Sequence, residues 1–318
     1  PQIHRPATER RVYDSPGHQV MRQTFEYWVI DGSGAAQTTV TTYDLTSDPN
    51  GIIVSKERHT FKGNPWADAG FTWFYQDADN GREIVTEILS LTSSSVLRRI
   101  DYEWSPLWVR ECVLTAVKST LSDTNQVSKT TYTYDINGNR TDTYEYDFGA
   151  AGSGVAGSLL RRTHFEYKVD SGYTAHTGAY ILNAIEEQWV SSDAAGVNKV
   201  SRMEFEHDNY AADGFRHADL KPRASIYGLC LKLDDTGTNC LQPSDTSFTP
   251  RGNVTQATTH NLTAGGSVSI SPQYDVAGNV VKTIDGRGNA TTFDYLDHFG
   301  MPDDEARSHT PPSQLGGL

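Results

Sequence analysis

Catalytic groups announce themselves by type and spacing, and this chain holds its titratable residues without such spacing. It has ten histidines and 40 carboxylates. It has no His-Glu-x-x-His, no Gly-x-Ser-x-Gly, no phosphate-binding Gly-x-x-x-x-Gly-Lys and no Cys-x-x-Cys. His207-Asp208 and His217-Ala218-Asp219 put a ring beside a carboxylate, the raw material of a general-base pair. Adjacency along the chain does not create that geometry, so both are read as polar loop residues and no catalysis is expected. Asp77-Ala78-Asp79-Asn80-Gly81 and Asp135-Ile136-Asn137-Gly138-Asn139 lack the alternating oxygen ligands and closing Glu of a calcium loop. Neither is taken as a metal site, and no cofactor is expected.

Binding chemistry has a stronger candidate. The stretch 64–75 concentrates Trp66, Trp73 and Tyr75, rings that can stack on a sugar or anchor a partner. The same rings would serve as an inter-strand plug, since large aromatics are mostly buried. Cys230 and Cys240 flank a polar turn between two short strand-like runs. Across such a hairpin the sulfurs could join, favouring an oxidising compartment, or stay two separate thiols. Cys112 lies in a strand-like run and reads as a buried thiol.

These residues need elements to hold them, and one turn recurs. Asp-x-x-Gly stands at Asp14/Gly17, Asp31/Gly34, Asp48/Gly51, Asp135/Gly138, Asp193/Gly196, Asp275/Gly278, Asp285/Gly288 and Asp297/Gly300. Composition alone would give roughly two such pairs, so the excess marks a repeated unit. Asp accepts a hydrogen bond from the N–H two residues on and starts the turn. Gly takes the left-handed conformation that lets the chain re-enter a strand. Thr249-Pro250-Arg251-Gly252 looks like a further copy with Thr in place of Asp.

Strand patterns flank the turns. Tyr102-Glu103-Trp104, Tyr132-Thr133-Tyr134, Tyr144-Glu145-Tyr146 and Phe165-Glu166-Tyr167 place aromatics two apart, on one face of a strand. The Gly/Ala/Ser-rich run within 149–160 reads as a flexible inserted loop, and 301–318 as an irregular tail. Apart from these, 1–318 reads as a single sheet region.

The run Tyr274-Asp275-Val276-Ala277-Gly278-Asn279, continuing through Asp285-Gly286-Arg287-Gly288-Asn289 to Phe293-Asp294-Tyr295, resembles the YD repeat of RHS proteins. Tyr134-Asp135-Ile136-Asn137-Gly138-Asn139 is similar. The match is specific around 130–147 and 250–300 and degenerate elsewhere. Members are large bacterial surface or secreted proteins, with related repeats in insecticidal Tc toxins and in teneurins. The resemblance implies an all-β fold in which hairpins build a long curved or spiralling antiparallel sheet. It also implies an extracellular or cell-surface location, and partners drawn from the rest of the same polypeptide or other copies, with a glycan or cell-surface partner also open. The implied role is a wall, fibre or adhesion scaffold, or alternatively the shell around a toxin. Asp48-Pro49-Asn50-Gly51 has the spelling of the family's self-cleavage segment but reads as a turn. Three of the four Asn-x-Thr sequons, at Asn139, Asn253 and Asn289, are repeat-turn asparagines; Asn261 is the fourth.

Charge narrows the partners. A net charge of −13 is a poor match for nucleic acid or anionic lipid. No apolar run approaches the roughly 20 residues of a membrane-spanning helix. The first residue, Pro1, and the loose last segment read as cuts through a longer polypeptide.

Overall fold

A computed structural model describes residues 7–30, 35–63, 81–108, 111–176, 178–222, 230–233, 236–243 and 245–293. Trp66, Trp73, Tyr75, the 301–318 tail and the turns at Asp31 and Asp297 lie outside the described residues. The protein is all-β, with one short helix among eighteen described strands. It forms two compact units, Pro1–Arg162 and Thr163–Leu318. No helix among the described residues is long and apolar enough to cross a membrane.

The first unit contains β1 (Glu9–Ser15), β2 (His18–Ile30), β3 (Ala35–Asp44), β4 (Ile52–Phe61), β5 (Glu83–Leu89), β6 (Val96–Trp108), β7 (Glu111–Leu121), β8 (Gln126–Tyr134) and β9 (Arg140–Tyr146). Each is hydrogen-bonded to the next, antiparallel, in the order of the chain. Strand β10 (Leu159–Tyr167) carries the chain into the second unit. The first unit's buried apolar residues are small or few: Ala36, Leu89, Ala116 and Val127 among those described. Thr39, Thr41, Thr60, Thr86 and Ser119 are buried too; β-branched threonine suits a pleated surface, and the hydroxyls of Thr60, Thr86 and Ser119 find partners there.

Charge also enters the sheet in register. Arg58, Glu87 and Arg99 stand opposite one another on β4, β5 and β6. The Glu87 carboxylate accepts from Arg58 Nε at 2.6 Å and from Arg99 at 3.5 Å, and its side chain is only 9% exposed. Two cations flanking one desolvated anion satisfy the requirement that a buried charge be paired.

The glycine-rich segment after β9 is held rather than free. Gly149, Gly152 and Gly154 N–H groups donate to the carbonyls of Val127, Thr124 and Asn125, and Asp147 N–H donates to Ser158. Ala156 makes a parallel bridge with Val127. Small residues permit this close approach: a Cβ on Gly157 would lie 2.6 Å from the Phe148 carbonyl oxygen. Leu159 and Leu160 already belong to β10.

In the second unit come α1 (Ser171–Thr174), β11 (Ile185–Ser191), β12 (Lys199–His207), β13 (Cys230–Leu233), β14 (Cys240–Pro243), β15 (Val254–His260), β16 (Ser267–Tyr274), β17 (Val280–Ile284) and β18 (Ala290–Thr292). Neighbours run β10-β11-β12-β15-β16-β17-β18, while β13 and β14 form a separate hairpin. Buried Trp189 stacks on His164 at 4.6 Å between ring centroids. Arg202 donates to Glu187 at 2.8 Å and Glu204 at 2.5 Å, which relieves the repulsion of two glutamates set directly opposite one another.

The ion pairs of the first unit differ in burial, and their value should follow. Glu87→Gln is expected to cost about 1–3 kcal/mol in urea unfolding. Glu145→Gln removes a mostly exposed pair with Arg161 and should cost under about 1 kcal/mol. Equal losses would show that burial does not set the strength of these pairs.

Candidate functional site

Three turns share one hydrogen-bond plan. In each of Asp135–Asn139, Asp275–Asn279 and Asp285–Asn289, the Asp N–H donates to the Asn carbonyl, at 2.9, 3.0 and 2.9 Å. One Asp oxygen accepts from the backbone N–H groups two and four residues on, and the other from the Asn side-chain amide, all within 2.8–3.0 Å. Gly138, Gly278 and Gly288 have φ of +83°, +83° and +90°, a region that L side chains enter only at a cost. Gly17, Gly51 and Gly196 also have positive φ, with looser bonding: the Asp48 carboxylate caps Asn50 N–H at 2.8 Å, and that of Asp14 takes His18 Nδ1 at 2.6 Å. Asp193 collects the N–H groups of Ala195, Val197 and Asn198. Those donors pull its carboxyl down to about 2, the Asn198 bond foremost.

A second interaction accompanies the turn. In two of these turns a tyrosine precedes the Asp and donates its hydroxyl to a carbonyl 20 residues back: Tyr134 to Leu114 at 2.8 Å and Tyr274 to Val254 at 2.9 Å; Ile284 precedes Asp285. Burial pushes both phenols above their ordinary range. Tyr27 reaches Ala7 in the same way, and Trp104 Nε1 donates to Glu83. Each latch ties the end of a strand to the start of the preceding one.

His207 and Asp208 follow both rules, and this explains the least regular part of the chain. His207 Nε2 lies 2.7 Å from the Ile185 carbonyl, the position a latch tyrosine hydroxyl would take. Asp208 N–H donates to the Asn253 carbonyl at 2.9 Å. The Asp208 carboxylate accepts from the N–H groups of Arg251 and Gly252 at 2.7 Å and Asn253 at 2.9 Å. Gly252 has φ +78°. Asp208 therefore supplies the carboxylate that Thr249 lacks: this is the same turn, split by the 41 residues 209–249. It explains why β12 pairs with β15 and passes over β13 and β14.

The split turn is reinforced from both sides. Tyr173 and Tyr210 hydroxyls donate to the Asp208 oxygens at 2.5 and 2.6 Å, and desolvation first, then Asp208, drives both phenols far upward. Asn253 Nδ2 donates to the Tyr210 oxygen at 2.8 Å. These bonds hold Asp208 at φ +55°, a conformation that costs a non-glycine residue about 1–2 kcal/mol. The Arg251 guanidinium donates to the carbonyls of Asp245, Phe248 and Val276, tying the end of the insertion to the neighbouring turn.

Within the insertion, Cys230 and Cys240 are disulfide-bonded, their Cα atoms 5.7 Å apart. His217 places Nδ1 2.9 Å from Asp213 and Nε2 2.8 Å from Glu206, with its side chain 12% exposed. Asp219, its neighbour in sequence, is not its partner. Beside the split turn lies a cavity of about 560 Å³ lined by Asp208, Asn209, Tyr210, Asp219, Leu220 and Thr249, among others.

Sequence reasoning located the regular turns but not this junction, because its Asp and Gly stand 44 positions apart. The signals present were Thr in place of Asp at 249 and the strand-like Phe205-Glu206-His207-Asp208. Asp234-x-x-Gly237 also has the repeat spacing; Gly237 lies between β13 and β14 at φ +70°, and Asp234 falls outside the described residues. Cys112 is reduced and half-buried. Among the described residues no group of three or more His, Cys, Asp or Glu is arranged to hold a metal ion.

No family model and no curated protein matches the chain. Among solved structures, a porin-like protein from Bacteroides uniformis is 12% identical, with 86% of this chain and 93% of that one covered and a TM-score of 0.26. The TcdB2-TccC3-Cdc42 structure is 12% identical, with 91% and 16% covered and a TM-score of 0.17. A Photorhabdus luminescens Tc holotoxin pore is 11% identical, with 91% and 15% covered and a TM-score of 0.18. The chain thus spans about a sixth of the Tc chains it overlaps, and likenesses this loose carry no argument about function.

Two outcomes are expected. Asp208→Ala should destabilise the second unit by about 3 kcal/mol or more, and adding Thr249→Asp should recover part of the loss; no recovery would refute the equivalence of the split and continuous turns. Asp193 has a folded pKa of about 2 against an ordinary 3.8. Its contribution is therefore complete above about pH 4 and lost as pH falls through 2. Carboxyl NMR titration should give a midpoint near 2, and Asp193→Asn should flatten the stability profile in that window.

Proposed function

We propose that this chain is a non-catalytic scaffold segment of a secreted or cell-surface protein of the YD-repeat kind, built to carry an inserted module on one of its turns. The observation that supports this reading is the closure shared by Asp135, Asp275, Asp285 and the split Asp208 turn: the Asp N–H donates to the Asn carbonyl, and the Asp carboxylate accepts from the Asn backbone N–H. Carboxylates and phenols that could serve as acids, bases or ligands are committed there to backbone N–H and C=O groups, which is structural work. The Cys230–Cys240 bridge fits an oxidising destination.

Deleting residues 209–249 tests the scaffold reading directly. It leaves His207-Asp208-Pro250-Arg251-Gly252-Asn253, a continuous turn of the repeat spelling with Pro at a favoured position. The shortened chain is expected to keep its β-sheet circular dichroism and a cooperative melt. A chain that no longer folds would mean that the insertion belongs to the core, and the reading would fail. On the full chain, Cys230 and Cys240 should resist alkylation until reductant is added when the protein is made in an oxidising compartment.

A further inference from the structure

The insertion that splits the Asp208 turn brings its own cavity, and we infer that this cavity is a binding site for a guanidinium or ammonium cation. It is lined by Asp208, Asn209, Tyr210 and Ala211 from the outgoing end, Asp219 and Leu220 from the middle, and Thr246 and Thr249 from the returning end. All but Asp208 belong to the 41 inserted residues. A plain hairpin turn of this repeat has no such lining, so the cavity is a property of the insertion.

The lining sorts into fixed and available groups. Asp208 is saturated by five donors. Asn209 spends its amide on Glu206 and its carbonyl on Ala211 N–H, and the Tyr210 hydroxyl bridges Asp208 and Asn253. These residues form rigid walls. Asp219, Thr246 and Thr249 make no side-chain hydrogen bond or ion pair among the described residues. What is left for a ligand is one exposed carboxylate and two hydroxyls beside buried Leu220 and exposed Ala211.

Charge selects among ligands. No Lys, Arg or His lines the cavity among the described residues, and the chain as a whole carries −13. An anion would meet repulsion and find no donor of charge. A cation would pair with Asp219, donate its remaining N–H groups to the threonine hydroxyls, and lay its methylene stem on Leu220 and Ala211. The volume of about 560 Å³ lies within the range of about 300–1,000 Å³ usual for small-ligand pockets. The cation's source is either a free amine or an Arg or Lys side chain of a peptide.

Isothermal titration of the full chain tests this with agmatine, the tripeptide acetyl-Gly-Arg-Gly-amide and methyl glucoside. Agmatine is expected to bind, more weakly as NaCl rises from about 20 to about 300 mM, and roughly tenfold more weakly to Asp219→Asn. Binding of the peptide as well assigns the site to a partner's side chain; binding of agmatine alone assigns it to a free amine. Asp219 bears no structural bond, so Asp219→Asn should melt with the parent chain, and Thr249→Val gives a second, uncharged perturbation of the same site. Absence of binding by both cations, agmatine binding that ignores Asp219→Asn, or binding of methyl glucoside alone overturns the inference. None of these outcomes bears on whether the sheet folds without the insertion.

Discussion

The structure depends on one exchange: a carboxylate takes over the hydrogen bonding that a tight turn removes from the backbone. A hairpin that reverses in five residues points several N–H groups inward with no carbonyl to receive them, and unpaired backbone donors are costly. In the regular turns the Asp serves two of these N–H groups and fixes the Asn whose carbonyl closes the ring. Gly at the fourth position removes the steric penalty for the left-handed step. Where a tyrosine precedes the Asp, as at 134 and 274, it then fastens the strand leading into the turn to the start of the one before. Together they set register locally, hairpin by hairpin, so that neighbouring strands follow chain order within each unit, with only the separate β13–β14 hairpin passed over.

That local closure makes the split turn possible. Opening a loop from three residues to about 44 costs roughly 2 kcal/mol in additional closure entropy. The three backbone N–H groups donated to the Asp208 carboxylate each contribute about 1.5–3 kcal/mol, as hydrogen bonds to a charged group do. The turn therefore holds its shape across the interruption, and the two tyrosines and Arg251 add to the margin. A turn held only by chain continuity could not take an insertion of this length at its tip.

What the amino-acid order discloses follows from the same physics. Asp135, Asp275 and Asp285 are legible because every group in their turns lies within five residues, and aromatic alternation finds the strands they join. The junction at Asp208 is hidden because its members come from 173, 208–210 and 251–253, and no local pattern encodes their convergence. The two short histidine–carboxylate spacings misdirect for a related reason. His207 stands in for a latch tyrosine, and His217 turns to Asp213 and Glu206 rather than to Asp219. The stretch 149–158 has the composition of a linker, yet its glycines matter for the close backbone approach they allow, which composition alone does not distinguish from slackness.

The division of labour among the carboxylates bears on where function resides. The aspartates at 135, 208, 275 and 285 are committed to their turns, and the sheet glutamates Glu87 and Glu187 are paired with arginines. Such groups keep the fold and have nothing left to offer a ligand. Asp219 differs in lying on an inserted segment whose removal restores a continuous turn. The insertion is itself anchored to the repeat scaffold, through Tyr210 on Asp208, buried Leu220 and the bridge from Lys221 to Asp275. Loops held on a rigid scaffold are where binding residues concentrate, and the saturated turn at Asp208 gives this insertion a fixed base.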